Sequence, residues 1–333
     1  MYEHDHTAND PHPFAPYLAA LGRGPGRSRP LTRAEARGAM EMVLDGRADP
    51  LQVGAFLLLL RYRHESGDEV AGMAEAIRLS AGLPATPATP KADLDWPSYA
   101  AGRTRGAPWF LLSALLCAKA GLAVAMHGFN SHLTNGTLTE EALTALGLPV
   151  AESHTQAQAH LVDHNFAYLP LRHLSATTQS LLALRPVLGL RTAVNTVVRA
   201  LNPLDAPASF VGIFHPPYLP VQLEASKALG TGKVGIIKGG GGEAERNPFK
   251  ASALNFYEGA VSFPPNADRA LGPKLPKASL DHMLSVWRGE TEDVAGRAVV
   301  TGTAAQALYL TGKASSVKDA ESLANDLWDG RLS

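Results

Sequence analysis

The chain of 333 residues has a single cysteine, Cys117. That excludes an intramolecular disulfide and fits a reducing compartment, so a cytoplasmic protein is expected. Cys117 sits in the apolar run LLSALLCAKA and reads as a buried structural thiol. There is no uninterrupted run of about 20 apolar residues, so no membrane span is expected. The opening MYEHDHTANDPHP lacks the basic and apolar parts of a signal peptide. Residues 1–13 read instead as a disordered tail, in which His4 and His6 have a metal-pair spacing but belong to a solvated terminus. Charge of one sign is also scarce: the net charge is −1 and 18% of residues are charged. The molecule as a whole is no polycation, so binding of nucleic acid or another anion would require a local patch.

What is present is enough apolar sequence, 45% of the chain, to fill two cores. Three capped helices are expected between Leu31 and Leu79. Thr32 with Glu35 and Ser66 with Glu69 have capping-box spacing, and Asp49-Pro50 pairs an N-cap with proline at the first helical position. Met40, Val43 and Leu44 share one apolar face, and Val53, Phe56, Leu57 and Leu60 another. The stretch LPATPATPKADLD, with three prolines in seven residues, reads as a linker. The expected division is a helical domain over 1–82, a linker over 83–95 and an α/β domain over 96–333. In the last, the strands Ala123–Met126, Phe166–Leu169, Phe210–Phe214 and Val234–Ile237 alternate with helices such as Tyr218–Leu229. The fold class expected is therefore α/β with two domains, the larger one a central, mostly parallel sheet flanked by helices.

The helices from Leu31 to Leu79 resemble the N-terminal domain of anthranilate phosphoribosyltransferase and its nucleoside phosphorylase relatives, the glycosyl transferase family 3 superfamily. The resemblance covers most of the chain. Leu188-Gly189-Leu190-Arg191-Thr192, Asn195 and Asn202-Pro203 match that family's Leu-Gly-x-Arg-Thr-x-x-Asn…Asn-Pro block. Arg185 stands where an arginine contacts the aromatic acceptor, and Pro170-Leu171-Arg172-His173 resembles a segment of the same site. The resemblance implies the nucleoside phosphorylase/phosphoribosyltransferase fold. It also implies a homodimer formed through the N-terminal helical domain.

The departures are as specific as the matches. Where these enzymes carry a Gly-Thr-Gly-Gly-Asp-Gly pyrophosphate loop, this chain reads Trp96-Pro97-Ser98-Tyr99-Ala100-Ala101-Gly102-Arg103. The lysine before His127-Gly128 is Met126, and the asparagine after it is Phe129. A Gly-Pro pair is replaced by Val198-Arg199. Of two magnesium-binding acids only Glu245 stands in place, beside Ala244. A pyrophosphate with its metal needs converging N–H groups and oxygen ligands, so these losses together predict severely weakened donor binding. The run Gly239 to Gly242 is a second glycine stretch that offers either a relocated phosphate loop or a merely flexible one. The pattern of losses resembles the YbiB-type (TrpD-like) subfamily, which is associated with non-specific nucleic-acid binding.

The arginines permit that function. Arg23, Arg27, Arg29, Arg33 and Arg37 lie close together with Glu35 as the only acid in the stretch, joined by Arg61, Arg63, Arg103 and Arg105. Arginine's planar fork suits phosphate, and Trp96, Tyr99 and Trp109 offer rings for stacking bases. The alternative is that the arginines solvate helix surfaces and Trp109 is core. The leading expectation is a catalytically degenerate homologue, without metal or cofactor, that binds nucleic acid, with single-stranded DNA the expected form. The alternative is a glycosyl or phosphoribosyl transferase with an altered donor site, for which magnesium would be needed. A regulatory binder of a small anion stands as a third reading. The remnant pocket comprises Tyr99, His127, His173, Arg185, Arg191, Asn195, Lys238 and Glu245.

Overall fold

The computed structural model describes residues 11–24, 26–89, 91–99, 106–129, 139–266 and 278–332. Most of the expected tail, together with Arg103 and Arg105, lies outside the described residues. Four helices open the chain: α1 (Ala15–Gly22), α2 (Arg33–Leu44), α3 (Pro50–Arg63) and α4 (Gly67–Ser80). Thr32, Asp49 and Ser66 each form a reciprocal capping box, with Glu35, Gln52 and Glu69 respectively. Each box satisfies two main-chain N–H groups that the helix itself leaves open. Glu69 also accepts the main-chain N–H of Leu31 at 2.8 Å, which ties α4 to the entry of α2. A Cβ on Gly72 would collide with the main chain of Arg33, so glycine is what lets α2 and α4 approach.

The α/β domain follows as β1 (Leu94–Ser98), α5 (Trp109–Lys119), β2 (Val124–Gly128), α6 (Thr139–Ala145), α7 (His154–His164) and β3 (Phe166–Pro170). Four short helices come next: α8 (Leu171–Leu174), α9 (Ala176–Leu182), α10 (Arg185–Leu188) and α11 (Val194–Val197). Then come β4 (Ala208–Ile213), α12 (Tyr218–Ala228), β5 (Lys233–Lys238) and the hairpin β6 (Ser252–Phe256) and β7 (Gly259–Phe263). The described chain closes with α13 (Leu280–Trp287), α14 (Val294–Leu310) and α15 (Val317–Asp329).

The sheet runs β3-β2-β1-β4-β5-β6-β7, parallel through β5 and antiparallel in the last two pairings. β1 straddles the end of the expected linker and carries Pro97 at the centre of the sheet. Its ladder to β2 runs through Ser98, but its ladder to β4 stops at Asp95. Proline has no N–H to extend it. The strand order reverses between β1 and β4, so the carboxyl ends of these two strands frame a crevice of the kind that binds ligands in open α/β sheets.

The helical domain is not closed by its own four helices. α11 and α12 pack on α4, and one apolar core runs from Phe14 and Phe56 to Val197 and Leu201. Arg78 fastens this junction. Its side chain is 1% exposed and donates to the carbonyls of Pro84, Leu201 and Asn202 at 2.8, 2.6 and 2.5 Å, and to Asp205 at 2.6 Å. Removing a buried partner strands the other charge, at a cost of about 3–5 kcal/mol. Arg78→Met is therefore expected to lower the urea midpoint by that amount of stability. A midpoint equal to that of the wild type would show that the junction does not depend on this side chain.

Candidate functional site

The residues at the crevice floor form a polar chain in which His127 Nε2 and Asp95 Oδ1 face each other without a hydrogen bond. Tyr99 Oη lies 2.7 Å from His127 Nδ1, His127 Nε2 lies 3.1 Å from Asp95 Oδ1, and Ser209 Oγ donates to Asp95 Oδ2 at 2.7 Å. All four side chains are buried. Burial, then the nearby Tyr168 and Asp95, pushes the Tyr99 phenol well above its ordinary value, so it stays neutral. Trp96 and Met126 point into the core on the other side of the sheet, with Trp96 edge-on to Phe210 at 4.8 Å. Trp96, Tyr99 and Trp109 are at most 4% exposed. The stacking role allowed for them above is corrected: these rings are core and have no free face for a base.

Glu245 is likewise occupied. α5 is the first described helix after the stretch that replaces the pyrophosphate loop, and its N-cap residue, Pro108, provides no side-chain cap. Glu245 Oε2, 1% exposed, accepts the N–H of Phe110 in its first turn at 3.0 Å. A protein carboxylate thus stands at the helix end that would attract a phosphate. Ala244 is buried beside it. Among the described residues no three His, Cys, Asp or Glu side chains converge on one point.

The second glycine run is neither a flexible loop nor an open cradle. Gly239 donates to Ile213, Gly240 to Glu245, Gly242 to Gly239 and Glu243 to Gly240. Gly241 and Gly242 have positive φ, and a Cβ on Gly239 would overlap the carbonyl of Glu243. The run is a tight turn in which the N–H groups of Gly239, Gly240 and Gly242 are taken by main-chain carbonyls.

The arginines divide into two sets. Arg29 pairs with Glu35 through both guanidinium nitrogens at 2.6 Å, Arg33 pairs with Glu75 of α4, and Arg37 pairs with Glu41 at 2.7 Å. Arg29 holds the Glu35 carboxyl down at about 2, so that pair is intact above the usual carboxylate range and opens only as pH falls through about 2. These three, read above as a free patch, are largely neutralised because folding brings acids from other turns to them. Arg23 and Arg27 are exposed without an ion-pair partner among the described residues. Arg63 donates to Ser28 Oγ at 2.6 Å, which joins the loop carrying Arg23 and Arg27 to the end of α3.

Arg61 turns the other way, 5.1 Å over the ring of Tyr218, into an open cleft of about 530 Å³. Arg191 and Arg199 line the same cleft. Burial pushes Arg199 down to about 10 and also lowers Arg191, which is lowered further by Arg185 and Arg61. Asn195 lines the cleft too, but its amide also donates to the Thr192 carbonyl at 3.3 Å and helps fix the turn there. His173 receives the Nε–H of Arg172 at 3.1 Å on the exposed α8, and Lys238 is exposed at the end of β5. Neither of them lines the cleft. Sequence reading missed Arg199, His215, Tyr218 and Gln222. Arg199 had a signal, since it stands where the resembled enzymes carry a proline.

A helical bundle joined to an α/β sheet, with a crevice at the strand reversal, defines the class. Residues 15–81 match the helical bundle domain of a glycosyl transferase family and residues 110–330 its a/b domain. The chain belongs to that family, glycosyl transferase family 3, whose members include anthranilate phosphoribosyltransferases. It is 30% identical over 319 residues to the anthranilate phosphoribosyltransferase of Moorella thermoacetica, covering 90% of each chain. It is 27% identical over 274 residues to YbiB of Escherichia coli (strain K12), covering 81% of this chain and 85% of that one. Its fold matches the anthranilate phosphoribosyltransferase (TrpD) of Thermus thermophilus with a TM-score of 0.76 at 23% identity, over 96% and 95% of the two chains. The Saccharomyces cerevisiae enzyme in complex with PRPP and Mg matches with a TM-score of 0.74 at 15% identity, over 96% and 94%.

If Glu245 serves the helix and no metal, Glu245→Ala leaves a buried N–H without an acceptor, worth about 1–3 kcal/mol. The expected result is a melting temperature several degrees lower, with no effect of millimolar magnesium on the wild type. A magnesium-dependent rise that the substitution abolishes would assign Glu245 to a metal instead.

Proposed function

We propose that this chain is a catalytically degenerate member of its family, a cytoplasmic homodimer that binds single-stranded nucleic acid non-specifically and without metal or cofactor. The observation that carries the loss of activity is the Glu245 carboxylate at the amino end of α5, where a donor phosphate would have to sit. The resemblance to YbiB-type proteins and the unpaired cations support the nucleic-acid reading. The binding surface is the loop of Arg23 and Arg27 with Arg63 at the end of α3, where the helix dipole favours basic residues, while Arg61 turns to the cleft. Arg29, Arg33 and Arg37 contribute less, because each already has a carboxylate. Backbone contacts dominate such binding, so sequence preference is slight. No helix among the described residues is long and apolar enough to cross a membrane.

The dimer reading has its own support. Leu51, Leu58 and Tyr62 of α3 are 66%, 36% and 85% exposed. At spacings of seven and four residues they form one apolar stripe, which a second copy would cover. Two chains also join two arginine sets and raise avidity.

Turnover of anthranilate with phosphoribosyl pyrophosphate is expected to be absent; rates of about 1–10³ per second would end the degenerate reading. Affinity for an oligothymidylate is expected to fall with salt, each phosphate contact contributing about −0.7 to the logarithmic slope. Replacing Arg23 and Arg27 with Ala should flatten that slope by roughly 1–2 units, and replacing Arg33 and Arg37 by less. Binding that ignores salt and both double substitutions would remove nucleic acid from the reading. For the dimer, light scattering at micromolar concentration should give twice the mass of one chain, and Leu58→Glu with Tyr62→Glu should halve it. A single-chain mass for the wild type would refute the dimer.

A further inference from the structure

The cleft between the end of α3, α11 and the start of α12 has features that a non-specific contact with a nucleic-acid backbone leaves unused. The first is uncompensated charge. Arg61, Arg185 and Arg191 have no ion-pair partner among the described residues, and Arg199 donates to the main-chain carbonyl of Asn195. The acids facing them are Glu65, which receives the Thr196 hydroxyl, and Glu243, which attracts Arg191 and Arg199. Burial also pushes the Glu65 carboxyl up towards its neutral form. Three guanidiniums line the cleft, with Arg185 near enough to lower Arg191, against two carboxyls, so positive charge is in excess there.

The second feature is a set of orphaned polar atoms. Thr192 Oγ1, Tyr218 Oη and Gln222 Oε1 line the same cleft, are buried, and have no hydrogen-bond partner. A buried polar group left unmatched costs about 1–3 kcal/mol, and three around one cleft mark a place where an outside partner is accommodated. Gln222 is fixed by its Nε2, which donates to the Thr196 carbonyl at 2.7 Å. Its Oε1 therefore asks for a donor. The third feature is the rim, where Phe214 is 52% exposed beside His215 and offers a flat apolar face.

We propose that this cleft binds a phosphate monoester dianion, held by Arg61, Arg191 and Arg199, whose organic part presents a hydroxyl to Gln222 and a ring to Phe214. A monoester carries about −1.5 to −2 charges at neutral pH, whereas an internal phosphodiester carries one. Guanidiniums bind phosphate through paired N–H groups, and the orphaned hydroxyls of Thr192 and Tyr218 supply further donors. The amino end of α12 opens at Tyr218 without a side-chain cap, and its dipole has the same sign as the arginines. The inference goes beyond non-specific strand binding and does not require it. A free nucleoside monophosphate and the 5′-phosphorylated end of a strand present the same chemistry.

The test uses the full chain and four probes: inorganic phosphate, uridine 5′-monophosphate, and a ten-residue oligothymidylate with either a 5′-phosphate or a 5′-hydroxyl. The phosphorylated strand is expected to bind at least tenfold more tightly than the hydroxyl form. Arg199→Met should erase that difference while leaving the hydroxyl form's affinity unchanged. Arg61→Gln, at the more open side of the cleft, serves as a second variant should Arg199→Met unfold. If neither strand binds but the monophosphate does, and Arg199→Met or Arg61→Gln removes it, the cleft proposal stands with a small ligand and the nucleic-acid reading falls. Equal affinity for the two strands, together with no binding of the monophosphate or of inorganic phosphate, overturns the cleft proposal whatever the salt dependence shows.

Discussion

The fastening of α4 to the turn before β4 by Arg78 is the contact on which the rest of this molecule depends. Arg78 reaches the carbonyls of Leu201 and Asn202 and the carboxylate of Asp205. Asn202 closes the same turn, exchanging hydrogen bonds with both the N–H and the carbonyl of Ala206 at 2.8 Å. Its φ of 40° explains why asparagine stands there, since its side chain can bond locally to hold a left-handed backbone. From this turn the chain enters β4, whose far end is the floor of the arginine cleft. A helix of one domain therefore sets the position of a strand in the other. The cleft between them is built rather than incidental.

The changes at the crevice are coupled. Trp96 and Met126 fill the core, and Pro97 interrupts the β1–β4 ladder. The helix end still requires a negative partner, and Glu245 supplies it from a turn held shut by its own glycines. Tyr99 pairs with His127 and Ser209 with Asp95 in the same way, while His127 Nε2 and Asp95 Oδ1 keep no hydrogen-bond partner. Restoring one residue of the enzyme pattern would break this local pairing before it rebuilt a donor site.

Much of the fold was legible from short-range chemistry. The capping boxes at Thr32 and Ser66, the Asp49-Pro50 N-cap and the apolar strands gave the elements, and the prolines from Pro84 onward marked where the helical domain ends. β1 was not legible as a strand, because a central strand with proline contradicts strand propensity and past Asp95 only the ladder to β2 sustains it. The hairpin of β6 and β7, with its exposed alternate residues, was also left without a structural expectation. For the site, the losses were legible because each is a residue standing at a known position. The gains were not. Arg33 read as free because Glu75, more than thirty residues away in sequence, is brought to it only by the packing of α4 on α2, whereas Arg29 and Arg37 take the nearby Glu35 and Glu41.

Charge follows the same logic at the level of the whole chain. A net charge of −1, with 30 Lys and Arg against 31 Asp and Glu, leaves no overall excess of positive charge, so function depends on which cations lack a nearby acid. In the helical domain the free ones gather at the end of α3, facing both the exposed loop of Arg23 and Arg27 and the cleft of Arg191 and Arg199. The two faces differ physically. On the loop, guanidiniums are fully solvated and act as screened charges. In the cleft, burial lowers Arg191 and Arg199 and strengthens every interaction they make. An anion that can enter the cleft therefore gains more than one that lies along the loop, and a terminal phosphate, with its second charge, gains more there than an internal diester.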